Sequence, residues 1–327
     1  MRKFSDYMHE VISNLKSEER FGTAYIYGYA LHAFQSFIGG GEIYFGALNR
    51  GALKRFENHL RNKQRSWNTV STYMRALRTV YNNAVDQGII QGEYRLFNSV
   101  FTGAKSDRKL ALPAEQVHHL LKGELSEELN DQEIFTAKMQ QARDMLALML
   151  LLQGMPFTDI IHLKREDLSL NRAGQEIISC RRQKTGTELN VVLVPEAKDI
   201  INRYLSKDID SPYLLYFFDG KTNGEEIYQK YRKCLRELNY YLSKLPKFRG
   251  LNIKVSSYTA RHTWATLAKF CEVPEEVISE GLGHSSLEVT RTYLKRFEDD
   301  KLDKANRIII SYVFQGKQQS WNHHASL

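Results

Sequence analysis

The sequence predicts a mainly α-helical protein that carries one small β-hairpin, an α+β fold arranged in two domains. Apolar residues recur at three- and four-residue spacing over most of residues 1–100, which is typical of helices buried on one face. Two short runs rich in Ile, Val and Leu flank a charged turn that contains Gly186, which is typical of a hairpin. A length of 327 residues is sufficient for two separate hydrophobic cores.

Helices are expected throughout the N-terminal domain, which we assign to residues 1–104. Glycines at positions 39–41 and 88 interrupt the apolar pattern and indicate turns between helices. The domain is therefore predicted to be a compact bundle of about four or five helices. The apolar spacing places these helices at residues 4–15, 23–37, 53–61 and 68–85.

A second domain is predicted over residues 105–314, followed by a polar tail at 315–327 that we expect to fray. Its last helix has an apolar face that packs either on its own domain or on a neighbouring protomer, and both alternatives stay open. The predicted elements are a linker at 101–112, a helix at 131–153, strands at 176–180 and 189–194, and a late helix at 302–314.

Basic residues are concentrated in the N-terminal domain. The chain has 46 Lys and Arg against 38 Asp and Glu, a net charge of +8. Residues 1–105 hold 14 basic against 8 acidic residues, whereas the remaining 222 hold 32 against 30. This distribution favours a polyanionic partner at the first domain, with a solvated helical face as the alternative. The side chains that we expect to contact the phosphates of such a partner are Lys54, Arg61, Lys63, Arg65, Arg75 and Arg78.

Several classes of protein are disfavoured by the sequence. Cys180, Cys234 and Cys271 lie far apart with no CxxC pair, so we expect neither a disulfide framework nor a zinc site. The longest strongly apolar run, 145–152, is too short for a membrane span, and the N-terminus has no apolar leader core. We therefore expect a cytoplasmic protein with no metal, no cofactor, no membrane contact and no small-molecule substrate.

The most informative segment is LGHSSLEVTRTYL, in which Tyr293 follows His284 by nine residues. Ser285 and Glu288 form a capping box, so a helix is expected to begin just after His284 and to carry Tyr293 about two turns later. Three further motifs precede this segment in the chain. They are LALMLLLQGMPFTDIIHLKREDL, the hairpin RRQKTGTELNVVLVP and SSYTARHTWATLA.

These motifs, in this order, resemble the tyrosine site-specific recombinases of the phage-integrase family, of the lambda-integrase and Xer type. The resemblance covers roughly residues 1–313 and implies a helical core-binding domain followed by a catalytic domain, which together hold the duplex from opposite faces. It implies that Tyr293 is the nucleophile, Arg261 a phosphate clamp, His284 a hydrogen-bond donor to the phosphate and Lys184 the general acid. Arg182, on the same hairpin as Lys184, is expected to contact DNA.

Two positions depart from the family pattern. Pro156 stands where the first catalytic arginine is expected, between Gly154 and Asp159, and proline offers neither charge nor donor. Tyr258 stands where a catalytic histidine is expected, three residues before Arg261, and its phenol can still donate a hydrogen bond to phosphate. The candidates for the missing cation are Arg143, Arg165, Arg181 and Arg182.

The resemblance implies an enzyme that cleaves and rejoins double-stranded DNA at short recombination sites through a 3′-phosphotyrosine, without metal or ATP. The outcome would be integration, excision or inversion by a homotetramer in the synaptic complex, and we expect no separate arm-binding module. The alternative is a catalytically impaired DNA-binding accessory protein on the same scaffold, which Pro156 favours. A relaxing topoisomerase is disfavoured by the N-terminal helical bundle.

Overall fold

The computed structural model describes residues 2–103, 111–122, 133–283 and 299–315 of the chain. The chain divides into two compact units, Met1–Arg108 and Lys109–Leu327, here called the N-terminal and the C-terminal unit. Each unit has its own hydrophobic core, and the two cores share no residue. The predicted class, mainly helical with one small sheet, is confirmed. The predicted domain boundary after residue 104 lies outside the described residues.

The N-terminal unit is built from helices close to the predicted ranges. Asn49 and Ser66 cap two of them, since their side-chain oxygens accept the backbone N–H groups of Ala52 at 2.9 Å and of Thr69 at 3.1 Å. The core between the helices is aromatic, with the rings of Phe34 and Phe56 edge to face at 5.1 Å. The helices are α1 (Phe4–Ser17), α2 (Phe21–Phe37), α3 (Arg50–Asn62) and α4 (Trp67–Asp86), with a 3₁₀ turn at Phe45–Ala47.

The C-terminal unit packs its helices around one central helix that is buried on most of its surface. The helices are α5 (Ala114–Leu121), α6 (Glu133–Leu151), α7 (Phe157–Ile161), α8 (Pro195–Tyr204), α9 (Gly224–Phe248), α10 (Ser257–Phe270), α11 (Glu275–Leu282) and α12 (Asp299–Gln315). Residues 144–152 of α6 and the turn after it are all buried. Across the part of the chain that the structure describes, no helix is long and apolar enough to cross a membrane.

The late helix α12 packs on its own unit. Ala305, Ile308 and Ile309 are each at most 1% exposed and belong to the core of the C-terminal unit. Asn306 lies between three elements, because its amide donates to the carbonyl of Leu151 at 2.7 Å and accepts from the indole of Trp264 at 3.2 Å. Of the two alternatives left open by the sequence, burial against its own unit describes this face of α12.

A three-stranded antiparallel sheet projects the predicted hairpin. Its strands are β1 (Leu168–Leu170), β2 (Glu176–Arg181) and β3 (Glu188–Val192), in the order β1-β2-β3. Cys180 pairs with Leu189, and Gly186 in the connecting turn has φ 67°, a left-handed conformation that favours glycine. The hairpin is confirmed, whereas β1 was not predicted, because three exposed residues carry no recognisable pattern.

Candidate functional site

The turn after α6 brings Gly154 against α10. Gly154 has φ 71°, and a Cβ atom there would lie 3.1 Å from the Cα of Arg261 and 3.3 Å from the Cβ of Trp264. Both the backbone conformation and the lack of space therefore require glycine. The close approach places the carbonyl oxygen of Gly154 3.3 Å from Nη1 of Arg261, which donates to it.

Arg261 is a buried arginine held by main-chain oxygens. It is 7% exposed, and its Nη2 donates to the carbonyl oxygen of Leu282 at 2.6 Å. Burial, and after it the positive charge of Arg182, lowers the pKa of Arg261 to about 10. Arg261 is nevertheless protonated at neutral pH, so the site holds a fixed positive charge at its centre.

Arg182 is a second buried arginine in the same cluster. It directly follows β2 and is 8% exposed. Its Nε donates to Oδ2 of Asp159 at 2.7 Å, and its Nη1 donates to the carbonyl oxygens of Leu282 and Gly283. The other carboxylate oxygen of Asp159 accepts the backbone N–H of Gln183 at 3.0 Å. Asp159 therefore holds both the side chain of Arg182 and the backbone that follows it.

The carbonyl of Leu282 is shared by the two guanidinium groups. Because Arg182 and Arg261 both donate to this oxygen, their nitrogens lie within about two hydrogen-bond lengths of each other. Helix α11 ends here, and Gly283 caps it with φ 60° and ψ 42°. A Cβ atom on Gly283 would lie 3.2 Å from Leu189 and 3.3 Å from Nη1 of Arg182. The two arginines thus meet at the residue pair that directly precedes His284.

The charges of this cluster do not balance among the described residues. Two guanidinium groups face one buried carboxylate, that of Asp159, and backbone carbonyl oxygens supply the other acceptors. Burying like charges together is unfavourable unless an anion offsets them. Planar guanidinium groups bind the paired oxygens of phosphate or carboxylate groups well. The cluster therefore suits a phosphate oxyanion.

The remaining predicted catalytic residues differ in how the structure places them. Lys184 is exposed in the hairpin turn, two residues after Arg182. Tyr258 is 55% exposed on α10, one turn before Arg261, and its ring meets that of His262 edge to face at 4.8 Å. Burial and the charge of Arg261 both lower the pKa of His262. His284 and Tyr293, with the predicted capping box between them, lie outside the described residues.

Three of the four arginines considered for the missing cation have other surroundings. Arg143 donates to Gln140 within α6 at 2.7 Å. Arg165 donates to the carbonyl oxygens of Ser206 at 2.7 Å and of Asp208 and Ser211 at 3.1 Å, holding a loop. Arg181 is exposed and forms an ion pair with Glu188 at 2.8 Å across the hairpin. Arg182 differs from them, because within the described part of the chain it shares the carbonyl oxygen of Leu282 with Arg261.

Sequence reasoning missed two features of the cluster: the burial of Arg182, and the carboxylate of Asp159 as its hydrogen-bond acceptor. The alternation of side chains along a strand would have revealed the burial of Arg182. Every second residue of β2 faces the core, so Arg182 follows the buried Ile178 and Cys180 on the same face. Arg181 points to the opposite, exposed face. Burial also raises the pKa of the Cys180 thiol to about 12, so this cysteine is chemically inert beside the cluster.

The predicted DNA-contacting side chains of the N-terminal unit fall into two groups. Lys63, Arg65 and Arg75 are exposed. The other three have intramolecular partners. Lys54 pairs with Glu57, Arg61 lies 4.6 Å from the ring centroid of Trp67, and Arg78 donates to Thr102 at 3.3 Å.

Metal ligands are not gathered in the residues that the structure describes. Over the ranges 2–103, 111–122, 133–283 and 299–315, no group of three or more His, Cys, Asp or Glu side chains is arranged to hold a metal ion.

Two family models match the chain, one in each unit. The phage integrase SAM-like domain matches residues 3–99. The phage integrase family matches residues 112–299, which include the arginine cluster and the segment with His284 and Tyr293. The two matches together account for most of the sequence.

Curated relatives are similar at moderate identity. A probable integrase/recombinase protein of Methanocaldococcus jannaschii is 26% identical over 207 residues, covering 61% of this chain and 60% of that protein. A tyrosine recombinase, XerA, of Thermococcus kodakarensis is 27% identical over 254 residues, covering 76% of this chain and 78% of that protein. The chain thus matches less than two thirds of the length of the first relative.

Solved structures share the fold. The Tn1549 transposon integrase in complex with transposon right-end DNA has a TM-score of 0.58 and 14% identity, over 92% of this chain and 97% of that one. A lambda integrase dimer bound to a COC′ core site has a TM-score of 0.50 and 12% identity, over 91% of this chain and 99% of that one. At these identities the likeness concerns the fold alone.

Proposed function

The chain belongs to the phage integrase family, and from this premise we propose that it is a site-specific tyrosine recombinase that cleaves and rejoins DNA. The observation that carries the proposal is the buried pair of guanidinium groups, Arg182 and Arg261, which meet at the carbonyl oxygen of Leu282. A phosphodiester is the anion that this arrangement suits, and the chain continues from there to His284 and Tyr293.

In the proposed reaction the phenolic oxygen of Tyr293 attacks the scissile phosphorus. A phosphorus–oxygen bond to tyrosine forms while the bond to the 5′ oxygen breaks, so one phosphodiester replaces another and strand exchange needs no ATP. The proton lost by the phenol is balanced by the proton gained by the 5′ oxygen. Rejoining reverses these steps, with a 5′ hydroxyl as the attacking group.

Three other side chains take part in this proposal. The ammonium group of Lys184 gives the proton to the departing 5′ oxygen, for which an exposed position on a hairpin turn is suitable. Arg261 offsets the charge that builds on the non-bridging oxygens. His284 and Tyr258 donate hydrogen bonds to the same phosphate, and Tyr258 is exposed enough to reach a ligand.

Binding of the duplex is assigned to both units. The exposed basic side chains of α3, α4 and the turn between them contact phosphates, and the relatives described above, named as integrases bound to DNA, are consistent with this assignment. Recombination exchanges strands between two duplexes, each cut in both strands. We therefore propose that four copies of the chain act in the synaptic complex.

A covalent-adduct assay tests the catalytic proposal. The probe is a duplex recovered from a random-sequence pool by binding to the full chain, and then nicked so that the cleaved end diffuses away. Wild type is expected to form a protein–DNA adduct that survives denaturation, in the presence of a chelator and without ATP. Tyr293→Phe is expected to bind the same duplex and to form none.

The second candidate function is a DNA-binding accessory protein that does not cleave. Pro156 favours it, because one expected arginine is absent. Tight binding by wild type with no adduct under any of these conditions would establish this alternative and overturn the enzyme. If the adduct forms, a substrate with two selected sites separates recombination from relaxation, since only a recombinase yields products with exchanged flanks.

A further inference from the structure

Pro156 leaves the proposed phosphate site one cation short, and the structure supplies a cation from another element. We propose that Arg182 is the second phosphate-clamping arginine of this enzyme, and that the carboxylate of Asp159 positions it. This inference rests on the proposed function. It assigns to the β-hairpin a role that the residue at position 156 cannot perform, because proline has neither a charge nor a side-chain donor.

The geometry of Arg182 is that of a clamp residue. Its guanidinium group is directed inward at the end of β2, where it shares the carbonyl oxygen of Leu282 with Arg261. A phosphate oxygen that receives a hydrogen bond from Arg261 at this place lies within reach of Arg182 as well. The exposed neighbour Arg181 has no such position, because it pairs with Glu188 on the other face of the hairpin.

Donor groups of both arginines are left for a ligand. Nε and Nη1 of Arg182 and both Nη atoms of Arg261 donate to protein acceptors. Nη2 of Arg182 and Nε of Arg261 have no acceptor within the described ranges of the chain. A guanidinium group presents five N–H donors, so each side chain can hold its protein contacts and also bind a phosphate oxygen.

Asp159 fixes the orientation of Arg182 from two directions. Asp159 is 3% exposed, and its carboxylate accepts Nε of Arg182 at 2.7 Å and the backbone N–H of Gln183 at 3.0 Å. A short, charged hydrogen bond together with a backbone anchor leaves little rotational freedom at the end of the strand. Asp159 therefore acts as a positioning residue and does not itself touch the phosphate.

Arg182 exchanges no atom in the proposed step. The bond between phosphorus and Tyr293 forms as the bond to the 5′ oxygen breaks, and the phenolic proton is balanced by the proton on the 5′ hydroxyl. The non-bridging oxygens gain charge in the transition state, and Arg182 and Arg261 donate hydrogen bonds to them. Removing one such donor is expected to slow cleavage by about 100-fold or more.

Matched substitutions at adjacent positions test this role. Arg182→Lys keeps a cation near Asp159 but loses the planar guanidinium group that can bind two oxygens at once. The double variant Arg182→Met/Asp159→Asn removes both buried charges together. Arg181→Lys and Arg181→Met are the controls, on the same hairpin and with the same changes of side chain. Each protein is assayed for adduct formation on the selected, nicked duplex, for affinity to the intact duplex and for its unfolding midpoint.

The same duplex is also made with a methylphosphonate at the cleaved position, which removes one negative charge from the scissile group. An arginine that offsets this charge matters less on the neutral substrate. On the phosphodiester, we therefore expect both Arg182 variants to form the adduct about 100-fold or more slowly than wild type. On the methylphosphonate, their rates should be much closer to the wild-type rate. The Arg181 variants should lose about fivefold at most on either substrate.

The outcomes separate this inference from the proposed function. Adduct formation by the Arg182 variants at the rate of the Arg181 variants overturns the role of Arg182 and leaves the enzyme intact. An equal loss of adduct rate on the phosphodiester and on the methylphosphonate also overturns it, because substitution of a purely structural residue would slow both reactions alike. Absence of any adduct from wild type that binds DNA overturns the proposed function, and the role of Arg182 with it.

Discussion

Arg261 keeps its charge inside the C-terminal unit with main-chain oxygens as its acceptors, while the nearby carboxylate of Asp159 pairs with Arg182. The pKa of Arg261 falls from the ordinary range of an arginine to about 10, chiefly because of burial. A change of this size corresponds to a cost of about 3 kcal/mol for keeping the side chain charged in the folded protein. The protein tolerates this cost at a place where an anion is expected to bind.

A prediction about stability follows from the unequal pairing of the two arginines. Arg261→Met removes the cost of burying this charge but takes its donor from the carbonyl oxygen of Gly154, while the carbonyl oxygen of Leu282 keeps Arg182. The two effects oppose each other, so the free energy of unfolding should change by about 1 kcal/mol or less in either direction. Arg182→Met leaves the buried carboxylate of Asp159 without its ion-pair partner and should lower the free energy of unfolding by about 3–5 kcal/mol. Urea unfolding of the two variants measures the difference. Equal losses would contradict the assignment of the carboxylate to Arg182, and Asp159→Asn should restore most of the stability of Arg182→Met.

His162 gives the C-terminal unit a predicted dependence on pH. Burial lowers its pKa, its ring lies 4.9 Å from that of Phe218, and its Nδ1 lies 2.6 Å from the carbonyl oxygen of Thr158. Because the pKa is lower in the folded state, the unfolded chain takes up the proton first as pH falls. The stability is therefore present above the ordinary histidine pKa of about 6.5 and is lost as pH falls below it.

Urea unfolding midpoints at a series of pH values from neutral to mildly acidic check this prediction. Wild type should lose stability on acidification, with a contribution from His162 of at most about 1.4 kcal/mol per pH unit. His162→Phe should show a smaller slope, although it loses the bond to Thr158 at every pH. His262, whose pKa is also lowered, contributes in the same direction, so part of the slope should remain. An unchanged slope in His162→Phe would count against a buried neutral imidazole.

At the scale of elements, two glycine turns bring the arginine cluster together. The turn at Gly154 lets α6 and α10 approach closely, and the cap at Gly283 ends α11 so that its last carbonyl meets both arginines. Gly174 has nearly the same φ as Gly154, 72° against 71°, but has no atom within 4 Å of a Cβ placed on it. The two positions therefore separate the cost of backbone conformation from the cost of a steric clash.

Gly154→Ala and Gly174→Ala are predicted to differ in both stability and activity. Each substitution should destabilise the protein by about 1–2 kcal/mol, because alanine is strained in the left-handed conformation. Gly154→Ala should destabilise it by about 1–3 kcal/mol more, because the added methyl group displaces the backbone at Arg261. The same displacement should lower the rate of adduct formation. The measurement is thermal unfolding together with the adduct assay. Equal effects at the two positions would show that the close approach to α10 does not matter.

The elements show where sequence patterns suffice. Helical spacing predicts α1 to α4 and α6 to within a few residues, and the Gly186 turn predicts the hairpin. Both patterns are local, since each depends on which side chains share one face of one element. The three residues of β1 form a strand only through pairing with β2, and a run that short has no periodicity of its own.

The candidate site shows where sequence patterns do not suffice. Motif order identifies Arg261 and the hairpin, but the choice of Arg182 among four arginines depends on contacts between separate elements. Asp159 lies 23 positions before Arg182, and Leu282 lies 100 positions after it. No local pattern relates residues at these separations, so the shared acceptor emerges only in the folded chain.

At the scale of the whole molecule, the two units differ in charge as well as in core. The N-terminal unit carries most of the excess of basic residues, and the C-terminal unit is close to neutral over its length. Binding to DNA phosphates releases counterions in proportion to the number of phosphates neutralised. The slope of log K against log salt therefore reports how many phosphates the basic side chains contact. Under the proposed function this dependence should arise mainly from the N-terminal unit.

Removal of three exposed charges from the N-terminal unit tests this distribution. The substitutions Lys63→Ala, Arg65→Ala and Arg75→Ala together should weaken binding to a mixed-sequence duplex. They should also make the slope of log K against log salt shallower by up to about 2.7, at about 0.9 for each phosphate contact.

The control removes the same net charge from exposed lysines of the C-terminal unit, Lys207, Lys221 and Lys247. It should leave the slope nearly unchanged, because those side chains are not expected to lie on the duplex. Equal changes in the two triple variants would show that net charge, rather than a basic surface on α3 and α4, determines the affinity.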